Sequence, residues 1–270
     1  MNQRLLQALL RIAATPAVLM HEAGYTPDDW QEDFLHQATT RPGFRGLLCT
    51  CRQAGKSTSF GALGVWLALV RPKTDTIVVA PSQRQANELI RKAHTICERL
   101  GLPLIRDAAT YLVLPTGGRI IALPGTGAVR GYTGNILADE GAWLADPVMH
   151  GVIMPMLSTL PGGGILAAAS TPAGQRGWYY SWWATGGDLY QRWKVPWTEC
   201  PRITPAYERT YRASVPAHVA AAELDCSFEA SAGGVFRPTL IDAAFTREQT
   251  GLLLPDFTAD AFDWGAEAAA

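Results

Sequence analysis

The residues best suited to chemistry lie in a short turn, where an apolar stretch is followed by Gly55, Lys56 and Ser57. A turn of this kind at the start of a helix directs backbone N–H groups toward phosphate oxygens. Lys56 can then reach the β- and γ-phosphates of a nucleoside triphosphate, and the Ser57 hydroxyl can bind Mg²⁺. The turn therefore predicts a phosphate-binding loop, although Thr50 stands where the usual pattern has glycine. The predicted nucleotide-contacting residues are Cys51, Arg52, Gln53, Ala54, Gly55, Lys56, Ser57 and Thr58.

A second candidate is the acidic pair Asp139-Glu140, which follows the apolar segment 135–138. A buried strand would deliver Asp139 to the phosphate-binding loop, where its carboxylate can hold Mg²⁺ through water. Glu140 can polarise the attacking water as a general base. The alternative is that the two acids only cap the following helix, and the phosphate-binding loop upstream disfavours it.

A third motif consists of Ser170, Thr171 and Pro172, which follow the apolar segment 165–169. Hydroxyl groups at a strand end can sense a γ-phosphate and transmit its loss to a moving segment. Ser-Thr-Pro is also an ordinary turn, and the position of this one, a strand after Asp139-Glu140, favours the functional interpretation.

Two arginines could stabilise the charge that develops during phosphoryl transfer. Arg130 lies in the glycine-rich segment 128–134, before the acidic pair, and could act in its own subunit or across to a neighbour. Arg52 competes for this role from inside the phosphate-binding loop. For Arg130 the alternative is a surface arginine with no catalytic part.

Trp30 and Gln31 form a candidate site for the base of the nucleotide. A glutamine amide can read the edge of adenine with one donor and one acceptor, and an aromatic ring can pack against the base. The alternative is a core tryptophan beside a glutamine on a helix surface.

The elements that would position these residues alternate along the chain. Short apolar segments at 46–49, 76–80, 135–138 and 164–169 predict buried strands, and helical patterns lie between them. This alternation predicts an α/β fold with a parallel sheet, which binds ligands at the carboxyl ends of its strands. We expect the core of this fold at 1–189, with N-terminal helices at 1–40. A smaller subdomain is expected at 190–235 and a tail at 236–270.

Bulk composition restricts the remaining possibilities. Hydrophobic residues make up 48% of the chain and charged residues 17%, so a sizeable core is available. The net charge of −1 means that any nucleic acid would be held by local basic patches. The five cysteines form no C-x-x-C pair, which indicates reduced thiols and no zinc site. No segment is long and apolar enough to predict a membrane span.

Together these residues resemble the ATPase domain of the large terminase subunit of tailed bacteriophages, the motor that packages double-stranded DNA. The family's phosphate-binding loop typically reads Ser/Cys-Arg-Gln-x-Gly-Lys-Ser/Thr, and residues 51–57 match it, including the missing first glycine. Its other motifs are matched by Asp139-Glu140, Ser170-Thr171-Pro172, Arg130-Gly131 and Trp30-Gln31. The resemblance covers about residues 25–240.

The resemblance implies a P-loop NTPase of the ASCE, RecA-like type, with a mostly parallel sheet flanked by helices and a small C-terminal lid. It implies ATP and Mg²⁺ as cofactors, and hydrolysis that powers translocation of double-stranded viral DNA into a procapsid. Ser57 and Asp139 would hold Mg²⁺, Glu140 would orient the water, and residues 170–172 would couple hydrolysis to lid movement. The implied partners are double-stranded DNA, a portal protein, a small terminase subunit and further copies in a ring, a pentamer. The expected location is the host cytoplasm, transiently at the portal vertex of the procapsid, with no membrane partner.

The end of the sequence departs from the family pattern. Phe262-Asp263-Trp264-Gly265 resembles the first strand of the RNase-H-like nuclease that usually follows, with Asp263 as the first metal carboxylate. Two-metal cleavage needs several carboxylates, and few residues follow. We therefore expect no nuclease activity from this polypeptide, whether it is an excised domain or a naturally short chain.

Two other functions remain open from the sequence. A helicase-like enzyme would need a second RecA-like domain that supplies arginine fingers, and residues 190–270 are too short for one. A non-catalytic nucleotide-binding assembly module would make Glu140 dispensable.

Overall fold

Eight strands form one sheet in the computed structural model, which describes residues 14–158, 160 and 162–229. The strands are β1 (Arg45–Thr50), β2 (Asp75–Ala80), β3 (Arg106–Ala108), β4 (Tyr111–Val113), β5 (Arg119–Pro124), β6 (Asn135–Asp139), β7 (Leu166–Ser170) and β8 (Gln191–Val195). Their order across the sheet is β3-β4-β5-β2-β6-β7-β1-β8. Six neighbouring strands run parallel, namely β5, β2, β6, β7, β1 and β8, whereas β3 and β4 at one edge are antiparallel. The mostly parallel sheet expected from the sequence is confirmed.

Helices cover both faces of this sheet. They are α1 (Pro16–Glu22), α2 (Asp29–Thr40), α3 (Lys56–Val70), α4 (Gln83–Arg99), α5 (Gly177–Thr185), α6 (Pro205–Ser214) and α7 (Ala217–Asp225). Between β6 and β7 the chain forms short helical turns, including a π-helical turn at Met149–Ile153. The wide turn precedes Pro155, which has no N–H to complete a regular helix. Among the described residues, no helix has the length and apolar character needed to span a bilayer.

Each face of the sheet buries its own apolar cluster. Neighbouring residues of one strand enter different clusters, so Leu47 lies in one and Leu48 in the other, as the period of two along a strand requires. Helix α3 is buried from Ser59 to Ala68 without a polar stripe. It packs in the cluster that contains Leu48. This packing fixes the position of the phosphate-binding loop, which precedes the helix.

The register of the parallel strands places the predicted chemical residues at one edge. Strand β7 lies between β1 and β6, with Cys49 opposite Ser170 and Asp139 opposite Ala169. The carboxyl ends of the three strands therefore reach the same level. The phosphate-binding loop, the acidic pair and the Ser-Thr-Pro motif emerge there side by side.

The structure differs from the sequence expectation in the position of β8. We expected residues 190–235 to form a small subdomain, but β8 pairs in parallel with β1 from Gly46 to Thr50. Its backbone groups complete the edge of the main sheet, and α6 and α7 lie in the segment after β8. Residues 1–13, the predicted tail at 236–270 and the nuclease-like segment at 262–265 lie outside the described residues.

Close backbone packing at Gly134 sets the start of β6. A Cβ atom at this position would lie 2.3 Å from the carbonyl oxygen of Asp75 on β2. We expect Gly134→Ala to lower the free energy of unfolding by about 1–3 kcal/mol, because the strand would have to shift. Urea unfolding measures this. Gly127→Ala is the control, since a Cβ there meets nothing within 4 Å. Equal stability of the two variants would contradict the packing argument.

Candidate active site

The loop between β1 and α3 has the backbone shape that phosphate binding needs. Gln53 (φ 62°) and Gly55 (φ 93°) adopt left-handed conformations, which fold the loop back toward the helix. The φ of Gly55 strains any residue with a side chain, and a Cβ there would also displace Nε2 of Gln31, which would lie 2.9 Å away. Helix α3 begins at Lys56, and its positive end therefore faces the space above the loop.

This space is a cavity of about 490 Å³. All predicted loop residues except the buried Cys51 contribute to its wall, together with Glu140. Gln31 of the predicted Trp30-Gln31 motif also lines the cavity. The rest of the wall comes from residues outside the motifs, namely Met20, Tyr25, Thr26, Lys92 and Arg202. The volume falls in the range typical of small-molecule sites.

Lys56 and Glu140 form an ion pair at the floor of the cavity. The other carboxylate oxygen of Glu140 lies 3.5 Å from the hydroxyl oxygen of Ser170, which donates to it. Glu140 itself has a left-handed backbone (φ 52°), a conformation that costs a residue with a side chain about 1–2 kcal/mol. A strained acid therefore connects the loop lysine to the Ser-Thr-Pro motif. A phosphate group at Lys56 would compete with this carboxylate for the ammonium group.

Ser57 and Asp139 are placed as a candidate Mg²⁺ site. The Ser57 hydroxyl donates to Oδ2 of Asp139 at 3.3 Å, and the Glu140 N–H donates to Oδ1 at 3.1 Å. Burial raises the pKa of Asp139, although the Lys56 ammonium opposes this shift. A buried carboxylate with too little opposite charge, next to a hydroxyl oxygen, has the ligand chemistry that Mg²⁺ prefers. The residues present therefore fit the ion.

The Ser-Thr-Pro motif reaches helix α7 through Glu223. The Thr171 hydroxyl donates to Oε1 of Glu223 at 3.4 Å, and Nη1 of Arg52 lies 3.5 Å from Oε2. The Arg52 N–H also donates to the backbone oxygen of Glu223 at 2.9 Å. The sequence alone assigned Glu223 no chemical role. Only the fold shows that it contacts two predicted site residues.

Arg130 is not brought to the cavity by this chain. It follows the short 3₁₀ turn Gly127–Val129, is exposed to solvent, and is not among the described residues that line the cavity. A role for Arg130 within its own subunit would need movement of this segment. Its predicted role as a charge-stabilising arginine stays a prediction.

Trp30 and Gln31 are both turned into the protein. Trp30 is only 8% exposed, and its ring belongs to the hydrophobic core instead of lining the cavity. Gln31 lines the cavity, but its Nε2 donates to Gly55 O at 3.2 Å and to Ser59 Oγ at 2.8 Å. Both donors of the amide are therefore engaged. This structure does not place either side chain for reading adenine.

A family comparison shows the family to which the chain belongs. Residues 47–242 match the model of the family described as terminase large subunit, T4likevirus-type, N-terminal. The chain belongs to this family. Its fold is the P-loop NTPase fold of terminase ATPase domains, as the mostly parallel sheet with flanking helices indicates. Comparison with curated proteins gives no match.

Solved terminase structures have the same fold. The large terminase ATPase domain of Thermus phage P74-26 is 19% identical, with a TM-score of 0.66, and the match covers 77% of this chain and 96% of that one. The large terminase of bacteriophage HK97 is 16% identical, with a TM-score of 0.57, and covers 75% and 50%. A large terminase from a thermophilic bacteriophage, in complex with ADP, is 11% identical, with a TM-score of 0.61, and covers 82% and 53%. The chain thus spans about half the length of the last two proteins.

Burial of Asp139 gives a testable stability difference. We expect Asp139→Asn to raise the free energy of unfolding at neutral pH by about 1–2 kcal/mol, because the amide avoids the cost of a buried charge. Urea unfolding without nucleotide measures it. The exposed Asp188 supplies the control, since Asp188→Asn should change the value by less than about 0.5 kcal/mol. An Asp139→Asn protein less stable than the parent would contradict this account.

Proposed function

We propose that this terminase domain hydrolyses ATP, with Mg²⁺, and that hydrolysis powers translocation of double-stranded viral DNA into a procapsid. The observation that carries the proposal is that Lys56, Ser57 and Glu140 line one cavity, with Asp139 hydrogen-bonded to Ser57 behind its wall. Solved large terminases in complex with ADP and with ATP-gamma-S support the choice of nucleotide.

Each residue at the cavity has a separate role in this proposal. Lys56 and the loop N–H groups hold the phosphates, and Ser57 with Asp139 holds Mg²⁺. Mg²⁺ held there would supply positive charge that neutralises the charge developing on the phosphate oxygens. Glu140 accepts a proton from the attacking water once its carboxylate has left Lys56. The ion pair with Lys56 therefore keeps Glu140 from acting as the base until a phosphate group replaces its carboxylate at Lys56.

Charge stabilisation and coupling involve residues around this centre. Arg52 is tied to Glu223 and can turn toward the γ-phosphate only by leaving that carboxylate. Ser170 contacts Glu140, and Thr171 contacts Glu223 on α7. Loss of the γ-phosphate would thus change side-chain contacts at β7 and at α7 together, which is the coupling expected of residues 170–172.

The partners that we propose are double-stranded DNA, a portal protein, a small terminase subunit and other copies of the chain in a ring, a pentamer. The place of action would be the host cytoplasm, with transient docking at the portal vertex. The near-neutral net charge of −1 supports contact with DNA through few basic residues, because a motor must release its track. No nuclease activity is proposed for this polypeptide.

Glu140→Gln separates an ATPase from a non-catalytic nucleotide-binding module. We expect ATP turnover to fall by about 10²–10⁴-fold, because the amide cannot accept the proton. Binding of ATP-gamma-S should persist, since the variant frees Lys56 from its partner. The control is Glu199→Gln, which removes an exposed acid and should leave turnover unchanged. Turnover of Glu140→Gln equal to that of the parent would rule out the enzymatic role.

The exposed position of Arg130 predicts action between subunits. We expect the specific ATPase rate of the parent to rise with protein concentration, because the arginine reaches a neighbouring site only after assembly. Arg130→Ala should lose this rise and about 10³-fold or more of the assembled rate. Exposed Arg176, changed to alanine, serves as control. A specific rate that does not change with protein concentration, together with no loss in Arg130→Ala, would argue against an arginine finger acting between subunits.

A further inference from the structure

The phosphate-binding loop is held on its carbonyl side by residues distant in the sequence. The Ala54 carbonyl accepts a hydrogen bond from Nη2 of Arg202 at 2.5 Å. The next carbonyl, that of Gly55, accepts from Nε2 of Gln31 at 3.2 Å, in addition to its bonds from Thr58 and Ser59 within the first turn of α3. Two successive carbonyls are therefore fixed by side chains from outside the loop.

Fixing these carbonyls also fixes the N–H groups that follow them. In a trans peptide the C=O and N–H bonds point in opposite directions, and no described peptide bond is cis. Arg202, by holding the Ala54 oxygen, thus sets the direction of the Gly55 N–H. Gln31 and the first turn of α3 do the same for the Lys56 N–H. These are the N–H groups that a phosphate-binding loop offers to its ligand.

Asp28 organises both contacts. Its carboxylate accepts from the two Nη atoms of Arg202 at 3.0 and 2.5 Å, and its backbone N–H donates to Oε1 of Gln31 at 2.9 Å. The second contact orients the Gln31 amide so that Nε2 faces the loop. The hydrogen bond with Asp28 raises the pKa of Arg202, which is fully charged. Because Asp28 balances that charge, the pair acts on the loop by geometry more than by attraction of phosphate.

We propose that Asp28, Gln31 and Arg202 form a carbonyl clamp, which presets the phosphate-binding loop for its ligand. The clamp rests on the proposed function, since it serves the nucleotide site named there. Its residues are positioning residues, and they affect the polyphosphate chain of any nucleotide irrespective of the base. Two facts support this. Both N–H donors of Gln31 Nε2 are used inside the protein. The ends of the Gln31 and Arg202 side chains also lie directly against Gly55, at 2.9 and 3.3 Å from the place of a Cβ on that residue.

The test compares binding of ATP-gamma-S with binding of inorganic tripolyphosphate, which has no base, both in the presence of Mg²⁺. For Arg202→Ala we expect the dissociation constants of the two ligands to rise together by about tenfold, because a hydrogen bond from a charged donor is lost. Arg202→Lys should recover part of the loss, since lysine keeps the charge but not the two-pronged geometry. Arg209→Ala on α6, which removes an exposed arginine of the same segment, should bind both ligands as the parent does.

Asp28→Asn tests the clamp with a side chain of the same size in place. It keeps the backbone N–H that orients Gln31 but weakens the pairing with Arg202. We expect a loss between those of Arg202→Lys and Arg202→Ala, again equal for the two ligands. Urea unfolding of each variant in the absence of ligand shows whether the fold is retained.

The possible outcomes separate the clamp from the proposed function. A loss for ATP-gamma-S alone, with tripolyphosphate binding unchanged, would show that these residues read the base and would overturn the clamp. Unchanged affinity for both ligands would overturn it as well. A parent protein that binds neither ligand would overturn the proposed nucleotide site itself, and the clamp with it.

Discussion

The parallel pairing of β7 between β1 and β6 is the constraint on which the rest of the structure depends. It places the ends of three strands at one level, with Ser170 opposite Cys49 and Asp139 next to Ala169 across the sheet. A shift of one residue in this register would turn each terminal side chain to the other face. Backbone hydrogen bonds between the strands, which set this register, therefore determine the contacts among Lys56, Glu140 and Ser170.

At this edge the protein accepts unfavourable local structure. Asp139 is buried in an environment that raises its pKa, and Glu140 adopts a left-handed backbone. Both features oppose stability and are characteristic of functional sites. The neighbouring Lys56 and Ser57 offset part of this cost, and a bound cation with its phosphates would offset more. The same groups thus make the free protein less stable and the site ready for its ligand.

The phosphate-binding loop also depends on β8 and on the part of the chain that follows it. The Cys51 N–H donates to Val195 O at 2.8 Å, and the Arg52 N–H donates to Glu223 O at 2.9 Å. Arg202 holds Ala54 from the same region. These bonds involve the loop backbone itself, so the loop is joined directly to α7 and to the segment after β8. The proposed coupling of hydrolysis to these helices would use this connection.

The sequence by itself determined the local elements and the residues that carry known chemistry. Apolar segments predicted β1, β2, β6 and β7, and the turn residues predicted the phosphate-binding loop, because these signals depend on neighbours in the chain. The tertiary structure decided what depends on contacts between distant residues. It moved β8 into the main sheet, placed Trp30 in the core, and left Arg130 at the surface. It also assembled Asp28, Gln31 and Arg202 around the loop, and no local pattern could show this, because 174 residues separate Asp28 from Arg202.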